Sequence, residues 1–454
     1  MFDKYPNLHR IHHLTPAQLL LVFYFGAIII STIVLSLPIA YQEGVHVSFI
    51  DVLFTAVSAL SVTGLSTISI GDTLSTTGVI LLALILQLGA VGVMTVSTFI
   101  WLLLGKKIGL SERRLIMQDQ NQTTFGGVVE LIKQILVVVL LIELLGFLIL
   151  GTYFMRYFPT PAEAYYNGFF STISAISNGG FSLNNNSLAP YKDDYFVQFI
   201  IMLLIVFGAI GFPVLIELKQ FILKKRKMKR KFRFSLFTKV TTTTFLVLIV
   251  LGAVFIYLID STGFFKGKSW HESLFYALFQ SVTTRSAGLS TMDVSLLSDS
   301  NHLFMSLLMF IGASPSSAGG GIRTTTFALV LIFIITYARG GKKIKVFSRE
   351  IYDKDLMKAV TVMILAIAIV FTTLLIVSII EPFSITQLLF EVTSAFGTVG
   401  LSLGITAELT TVSKILLMIL MFLGRIGLVT FLITFRKENQ NEYIRYPKER
   451  IIIG

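Results

Sequence analysis

Eight apolar runs, at about 17–38, 77–104, 131–155, 196–218, 239–259, 303–338, 357–380 and 413–435, are each long enough to cross a bilayer. A spanning helix needs about 20 such residues. Within lipid, every backbone amide and carbonyl must also find its partner inside the protein. The chain is therefore restricted to an all-α integral membrane fold. Composition agrees, with 14% charged residues in 454 where a soluble domain carries about 25%. An even number of spans puts both termini on one side. Thr15-Pro16 opens the first run, with Thr placed to cap and Pro at the first helical position. That run lacks a small-residue cleavage site, so a span is expected there and not a removable signal peptide.

Orientation follows from the basic residues. One set of connections carries Lys106, Lys107, Arg113 and Arg114, then the run from Lys224 to Arg233, then Arg339, Lys342, Lys343, Lys345 and Arg349. The tail adds Arg436, Lys437, Arg445, Lys448 and Arg450. The alternate connections hold acids instead, among them Glu43, Asp72, Asp193, Asp194, Asp260, Asp293, Asp299, Glu381 and Glu408. The basic face is cytoplasmic, and both termini are expected there. A net charge of +12 would suggest nucleic acid in a soluble chain. Between membrane spans it suggests anionic lipid or a partner, and no nucleic acid.

Between paired spans lie shorter apolar segments that repeat. DVLFTAVSALSVTGLS begins at Asp51, NGFFSTISAISNGGFS at Asn167 and QLLFEVTSAFGTVGLS at Gln387. Aligning Gly64, Gly180 and Gly400 also aligns Phe54, Phe170 and Phe390, then Ser58, Ser174 and Ser394. A looser copy, LFQSVTTRSAGLS, carries Gly288. The glycines recur roughly every 110 residues, the mark of an internal repeat. The following spans repeat LGAVG at 88–92, FGAIG at 207–211, IGASP at 311–315 and LGRIG at 423–427. The units are residues 1–110, 111–223, 224–342 (which includes the GASPSSAGGG stretch) and 343–454.

Each short segment offers about ten helical residues before its glycine, too few to cross about 30 Å of hydrocarbon. Re-entry solves this: a half-helix dips inward and an extended strand returns. Such backbone is tolerated only when buried in protein or lining a watery cavity. Four strands around one axis make a ring of carbonyls able to coordinate a dehydrated monovalent cation, with half-helix C-termini adding partial negative charge. The expected filter is Val62, Thr63, Gly64; Asn178, Gly179, Gly180; Ser286, Ala287, Gly288; and Thr398, Val399, Gly400. A transported ion would sit at the carbonyls of Thr63, Gly179, Ala287 and Val399. The competing reading makes these glycines ordinary C′ caps.

Two features break the pattern. The 303–338 run is too long for one crossing and contains Gly312, Ala313, Ser314, Pro315, Ser316, Ser317, Ala318, Gly319, Gly320 and Gly321. Gly and Pro at this density interrupt a helix. The expectation is a movable gate beneath the filter, because small residues leave little packing to pin it; a static kink is the alternative. Its glycines lack P-loop context. Arg425 lies within the last span, where charge costs about 2.5–3.5 kcal/mol on insertion scales. It is expected to face the interior, as an electrostatic barrier, as a partner of gate carbonyls, or as a structural partner of a buried group. Arg285, placed outside beside the third turn, is expected to donate to that turn's carbonyls. Glu143 is a further charge within a span.

Other function classes fare worse. There is no cysteine, hence neither disulfides nor thiolate metal ligands. His9, His12, His13, His46, His271 and His302 show no metal spacing, and no catalytic constellation points to an enzyme. No organic cofactor is expected in this chain. A Na⁺- or H⁺-coupled symporter remains the alternative to a channel-like path. Inverted repeats would favour it, whereas all four units here start inside.

SVTGLS, SNGGFS, TTRSAGLS and TVGLS, with GASPSSAGGGIRTTT and GRIG, resemble the Trk/Ktr/HKT potassium transporters over nearly the whole chain. The short N-terminal lead and the end near Ile444-Arg445-Tyr446-Pro447 resemble the bacterial Ktr membrane subunits (KtrB/KtrD). The resemblance implies potassium uptake through the bacterial inner membrane, stimulated by sodium in many members. It implies a homodimer, each protomer with its own pore. It also implies a cytoplasmic RCK-type ring (KtrA/KtrC-like) that binds ATP or ADP and cyclic-di-AMP. Within the family the four filter glycines correspond to Gly64, Gly180, Gly288 and Gly400, the gate to 312–321 and the intramembrane arginine to Arg425. A serine at the first glycine goes with sodium permeability in plant members, so Gly64 implies potassium. The departure is Pro315, which would stiffen the gate.

Overall fold

The computed structural model describes residues 15–103, 108–119, 127–224, 232–341, 343–434 and Glu449. His9, His12, His13, Lys106, Lys107, residues 225–231, Lys342, Arg436, Lys437 and Arg445, Lys448 and Arg450 lie outside the described residues.

The first quarter runs α1 (Pro16–Leu35), α2 (Phe49–Ser61), the short α3 (Ile70–Thr73), α4 (Thr76–Val91) and α5 (Val93–Leu103). Thr15 caps α1 in a full capping box with Gln18, and Pro16 opens the helix as its sequence suggests. After α6 (Leu110–Asp119), the second quarter holds α7 (Val128–Phe154), α8 (Pro161–Ser177), α9 (Tyr195–Ala209) and α10 (Phe212–Lys224). The third holds α11 (Leu236–Ile259), α12 (Trp270–Thr283), α13 (Asp299–Phe310) and α14 (Thr324–Ala338), followed by a small hairpin, β1 (Lys345–Val346) and β2 (Arg349–Glu350). The fourth holds α15 (Asp353–Ile380), α16 (Ile385–Gly397), α17 (Thr411–Ile426) and α18 (Leu428–Thr434).

The opening helices α1, α7, α11 and α15 are each long and apolar enough to cross a membrane. Their outward faces are apolar and exposed, as Ile29 and Ile30, Leu140 and Leu144, Val250 and Leu251, and Ile364 and Phe371 show. That is the surface lipid requires. The second helices α2, α8, α12 and α16 are wrapped in protein, with Phe54, Phe170, Phe279 and Phe390 all fully buried.

The core is itself a ring. One apolar cluster joins the first quarter to the second through Leu60, Leu86 and Phe170. Another joins the second to the third through Ile205, Phe245 and Phe279. A third joins the third to the fourth through Met309 and Phe390, and a fourth closes the circuit through Phe396, Leu417 and Phe54.

Three runs expected to be continuous spans are not. The 77–104 run breaks between α4 and α5 at Gly92, the 196–218 run between α9 and α10 at Gly211, and the 413–435 run between α17 and α18 at Gly427. The last two bend by 107° and 95°. Each glycine has a strongly positive φ, 98°, 100° and 87°, a region that residues with a Cβ rarely enter. These are the final glycines of LGAVG, FGAIG and LGRIG. In IGASP the same position is Pro315, whose ring fixes φ near −65°. The third quarter cannot turn there on one residue, and a loop replaces the turn.

Candidate ion pathway

The four short helices start alike. Ser48, Thr160, Ser269 and Ser384 each accept the amide of the third helical residue, Asp51, Glu163, Glu272 and Gln387. They run 13, 17, 14 and 13 residues, longer than the sequence suggests. At 1.5 Å per residue the 13-residue helices still reach only about 20 Å. Three end alike too, on a left-handed residue that is not glycine: Val62, Asn178 and Thr398. The competing reading of the glycines as helix caps is thereby corrected. The left-handed residue ending each helix lies two positions earlier, and Gly64, Gly180, Gly288 and Gly400 each adopt a positive φ of their own.

The returning strand is tied to its helix. The amides of Thr63, Gly179, Ala287 and Val399 donate to the carbonyls of Ser58, Ser174, Thr283 and Ser394 at 2.7–2.9 Å. Ser58 and Ser394 hydroxyls accept the amides of Gly64 and Gly400 at 3.1 Å. Ser174 donates instead to the Phe181 carbonyl at 2.6 Å. The aligned serines thus hold the turn.

The four turns meet. A methyl group on Gly64 would lie 2.6 Å from the Gly179 oxygen, and one on Gly180 would lie 3.0 Å from the Ala287 oxygen. Methyl groups on Gly288 and Gly400 would overlap the oxygens of Val399 and Thr63. Each glycine therefore lies against a carbonyl of the next quarter, and the fourth closes on the first. Only glycine allows so close an approach. The glycines also line a cavity of about 660 Å³, with Ser66, Ser182, Ser290 and Ser402 in its wall.

The third turn is the irregular one. Phe279 precedes its glycine by nine positions, whereas Phe54, Phe170 and Phe390 precede theirs by ten. With one residue fewer, α12 ends on Thr284 in the right-handed region and Ser286 takes the positive φ. Arg285, expected outside on the turn's own carbonyls, is instead fully buried. Its guanidinium donates to the Leu308 carbonyl in the last turn of α13.

Beneath the ring runs the 312–321 loop. Its small residues are packed and bonded: Ala313, Ser314 and Ala318 are buried, and the amides of Ser314 and Ala318 donate to the Ala209 and Gly208 carbonyls at 3.0 Å. The Gly321 amide donates to the Gly424 carbonyl at 3.2 Å. A broken helix leaves carbonyls without partners, and here one loop supplies donors to the ends of α9 and α17. Arg425 serves the third end. It donates to the Gly89 and Ala90 carbonyls closing α4, and to the Ala318 carbonyl of the loop. Arg323, which the sequence did not single out, donates to the Gly319 carbonyl from the other side. The loop touches the ring as well, since a side chain on Gly319 would strike Ser286 and one on Gly320 would strike Thr398.

Two buried polar groups were also missed by sequence reasoning. Glu391 in α16 accepts from Ser402 and Thr406, and Gln280 in α12 donates to Ser290 at 2.8 Å. They share one helical position, the residue after the invariant phenylalanine, which would have exposed them. Glu143 now has a partner, Gln87 of α4, whose amide donates to it at 2.5 Å. Among the described residues no cluster of His or acidic side chains could hold a metal ion.

Four re-entrant helices around one axis, a closed carbonyl ring and broken inner helices define a four-repeat membrane protein with a pathway at its centre. The sequence profile of the TrkH family, described as a cation transport protein, matches residues 17–446, and the chain belongs to that family. It is 56% identical over 445 residues to the Ktr system potassium uptake protein D of Bacillus subtilis, covering 98% of each chain. It is 38% identical to the Ktr system potassium uptake protein B of that organism, over 97% of each. The crystal structure of the potassium transporter TrkH from Vibrio parahaemolyticus has the same fold, with a TM-score of 0.72 over 94% of this chain and 86% of that one, at 19% identity.

Proposed function

We propose that this chain is the potassium-translocating membrane subunit of a Ktr-type uptake system, conducting in a channel-like manner. The observation that carries the reading is the ring in which each of four glycines lies against the next quarter's carbonyl. The carbonyls of Thr63, Gly179, Ala287 and Val399 replace the hydration shell of potassium, the coordination a carbonyl ring provides. The driving force is the membrane potential, about 2.3 kcal/mol per unit charge per 100 mV. The relatives named as Ktr potassium uptake proteins support this substrate.

In this reading the four repeats are 1–110, 111–223, 224–342 and 343–454. The chain lies in the bacterial inner membrane with both termini and the basic connections cytoplasmic. Two copies pair, and a cytoplasmic regulatory ring of RCK type, binding ATP or ADP and cyclic-di-AMP, acts on the basic face; the "Ktr system" of the relatives' names supports a multi-component assembly. Sodium stimulates uptake. The 312–321 loop with Arg425 closes the path below the ring.

The test replaces Gly64 with Ser and measures potassium and sodium flux into proteoliposomes. The added side chain enters a site 2.6 Å from the Gly179 oxygen, and potassium–sodium discrimination should fall. Unchanged discrimination would refute the assignment of the ring as the filter.

A further inference from the structure

We propose that Glu391 is a positioning residue for ion discrimination, bracing the fourth turn of the ring from behind. This rests on reading the ring as a potassium filter. Glu391 sits in the second turn of α16 and is 1% exposed. Both of its oxygens accept hydroxyl hydrogen bonds, one from Ser402 and one from Thr406, the latter at 3.0 Å. Ser402 in turn accepts the Gly404 amide at 2.9 Å. The segment leaving Gly400 is therefore fastened to the body of its own helix. A second fastening, the Gly400 amide on Ser394, lies one helical turn away.

The other quarters show that this brace is a choice. The first quarter has the Ser394-type fastening, through Ser58, but Thr55 stands where Glu391 does. Thr55 donates to the carbonyl of Asp51, and Ser66 to that of Ile68 at 2.7 Å. The second has Ser171 at that position, and Ser182 turns to the Ser187 carbonyl. The third uses the neutral Gln280 on Ser290. The fourth quarter alone places a carboxyl group behind its turn. Buried polar groups left unmatched are costly, so its two hydroxyl donors and its geometry hold each other in place. Ring selectivity depends on where the carbonyls stand and how strongly they coordinate. A brace two residues beyond Gly400 acts on both through the Val399 carbonyl.

The experiment measures ⁸⁶Rb⁺ and ²²Na⁺ uptake by full-length protein in proteoliposomes at a fixed imposed potential. Glu391→Gln keeps the shape and removes the second acceptor oxygen. It should lower the Rb⁺/Na⁺ uptake ratio about five- to tenfold, the size expected for losing one ordinary hydrogen bond. Ser402→Ala should shift the ratio in the same direction, and the double variant should be no worse than Glu391→Gln. An unchanged ratio, or Rb⁺ and Na⁺ uptake falling in parallel, overturns the proposal when Gly64→Ser still shifts the ratio. If Gly64→Ser leaves the ratio unchanged as well, the filter reading itself falls. Should Glu391→Gln fail to fold, Ser402→Ala decides alone, and an unaltered ratio overturns the proposal.

Discussion

Three quarters of this molecule break their inner helix on one glycine, and the third breaks it on a loop. The cause is local. Gly92, Gly211 and Gly427 take a positive φ, and Pro315, in the matching position, has no access to it. The consequence is global, because the loop that results spends its amides on the helix ends that the other quarters leave open. Regularity in three quarters creates the unsatisfied carbonyls, and the irregular third quarter satisfies those of α9 and α17. Arg425 belongs to the same economy. It occupies the site held by Ala90, Ala209 and Ala313 in the other copies of the motif, and its guanidinium reaches both α4 and the loop.

The comparison can be broken first at the regular quarters. Gly208 and Gly424 lie so close to the Ile176 and Phe396 carbonyls that any Cβ would overlap them. Gly424→Val should cost ~3 kcal/mol or more by overpacking and abolish monodisperse protein on size exclusion. Gly427→Ala meets nothing within 4 Å and, at φ 87° and ψ 137°, should cost ~1–3 kcal/mol of backbone strain. If both variants melt alike, the close helix contact is not what fixes the regular quarters.

The irregular quarter is tested next. Arg425→Met leaves the Gly89 and Ala90 carbonyls without this donor and should lower stability by ~2–3 kcal/mol while raising cation flux. Excising 312–321 should raise flux further, and it should also lower the thermal transition because α9 and α17 lose their caps. A rise in flux with undiminished stability would separate the loop from its capping role.

Smaller effects test the seams. Lys414 of α17, buried, is bonded to the half-buried Asp51 of α2 at 2.9 Å and joins the fourth quarter to the first. Lys414→Met should lower stability by ~1–2 kcal/mol, read as a thermal shift. At the outer mouth Asp72 accepts from Asn185 and Ser69 at 2.7 and 2.8 Å, joining the first quarter to the second. Those bonds hold its carboxyl below the ordinary value of 3.8. Its contribution is complete above that value and is lost as pH falls through the lower folded value. Asp72→Asn should flatten this part of the acid limb of a thermal-stability profile and leave neutral stability nearly unchanged.

Much of this was legible in the chain because it recurs. Four glycine turns, four short apolar segments and a phenylalanine aligned in three copies are local signals that a repeat multiplies. What escaped notice has physical reasons. The breaks at Gly92, Gly211 and Gly427 lie inside unbroken apolar runs, so hydropathy sees one span where geometry makes two helices; the recurring final glycine was the available signal. Arg323 drew no reading, and Arg285 was placed on its own turn's carbonyls, because the carbonyls of Gly319 and Leu308 that they bond are brought near only by the fold. Gln280 falls into register with Glu391 only when the one-residue deletion before Gly288 is allowed for. The gate expected at 312–321 was read from its small side chains, and the backbone amides that tie it to α9 and α17 are not reported by composition.

The account stands on cation flow through the ring driven by potential alone. The direct measurement is potassium flux into proteoliposomes containing the purified chain, clamped at a negative interior potential, with no proton or sodium gradient. The account predicts potassium-dependent flux that rises with the imposed potential. Absence of flux, or flux that requires a proton or sodium gradient, would contradict it.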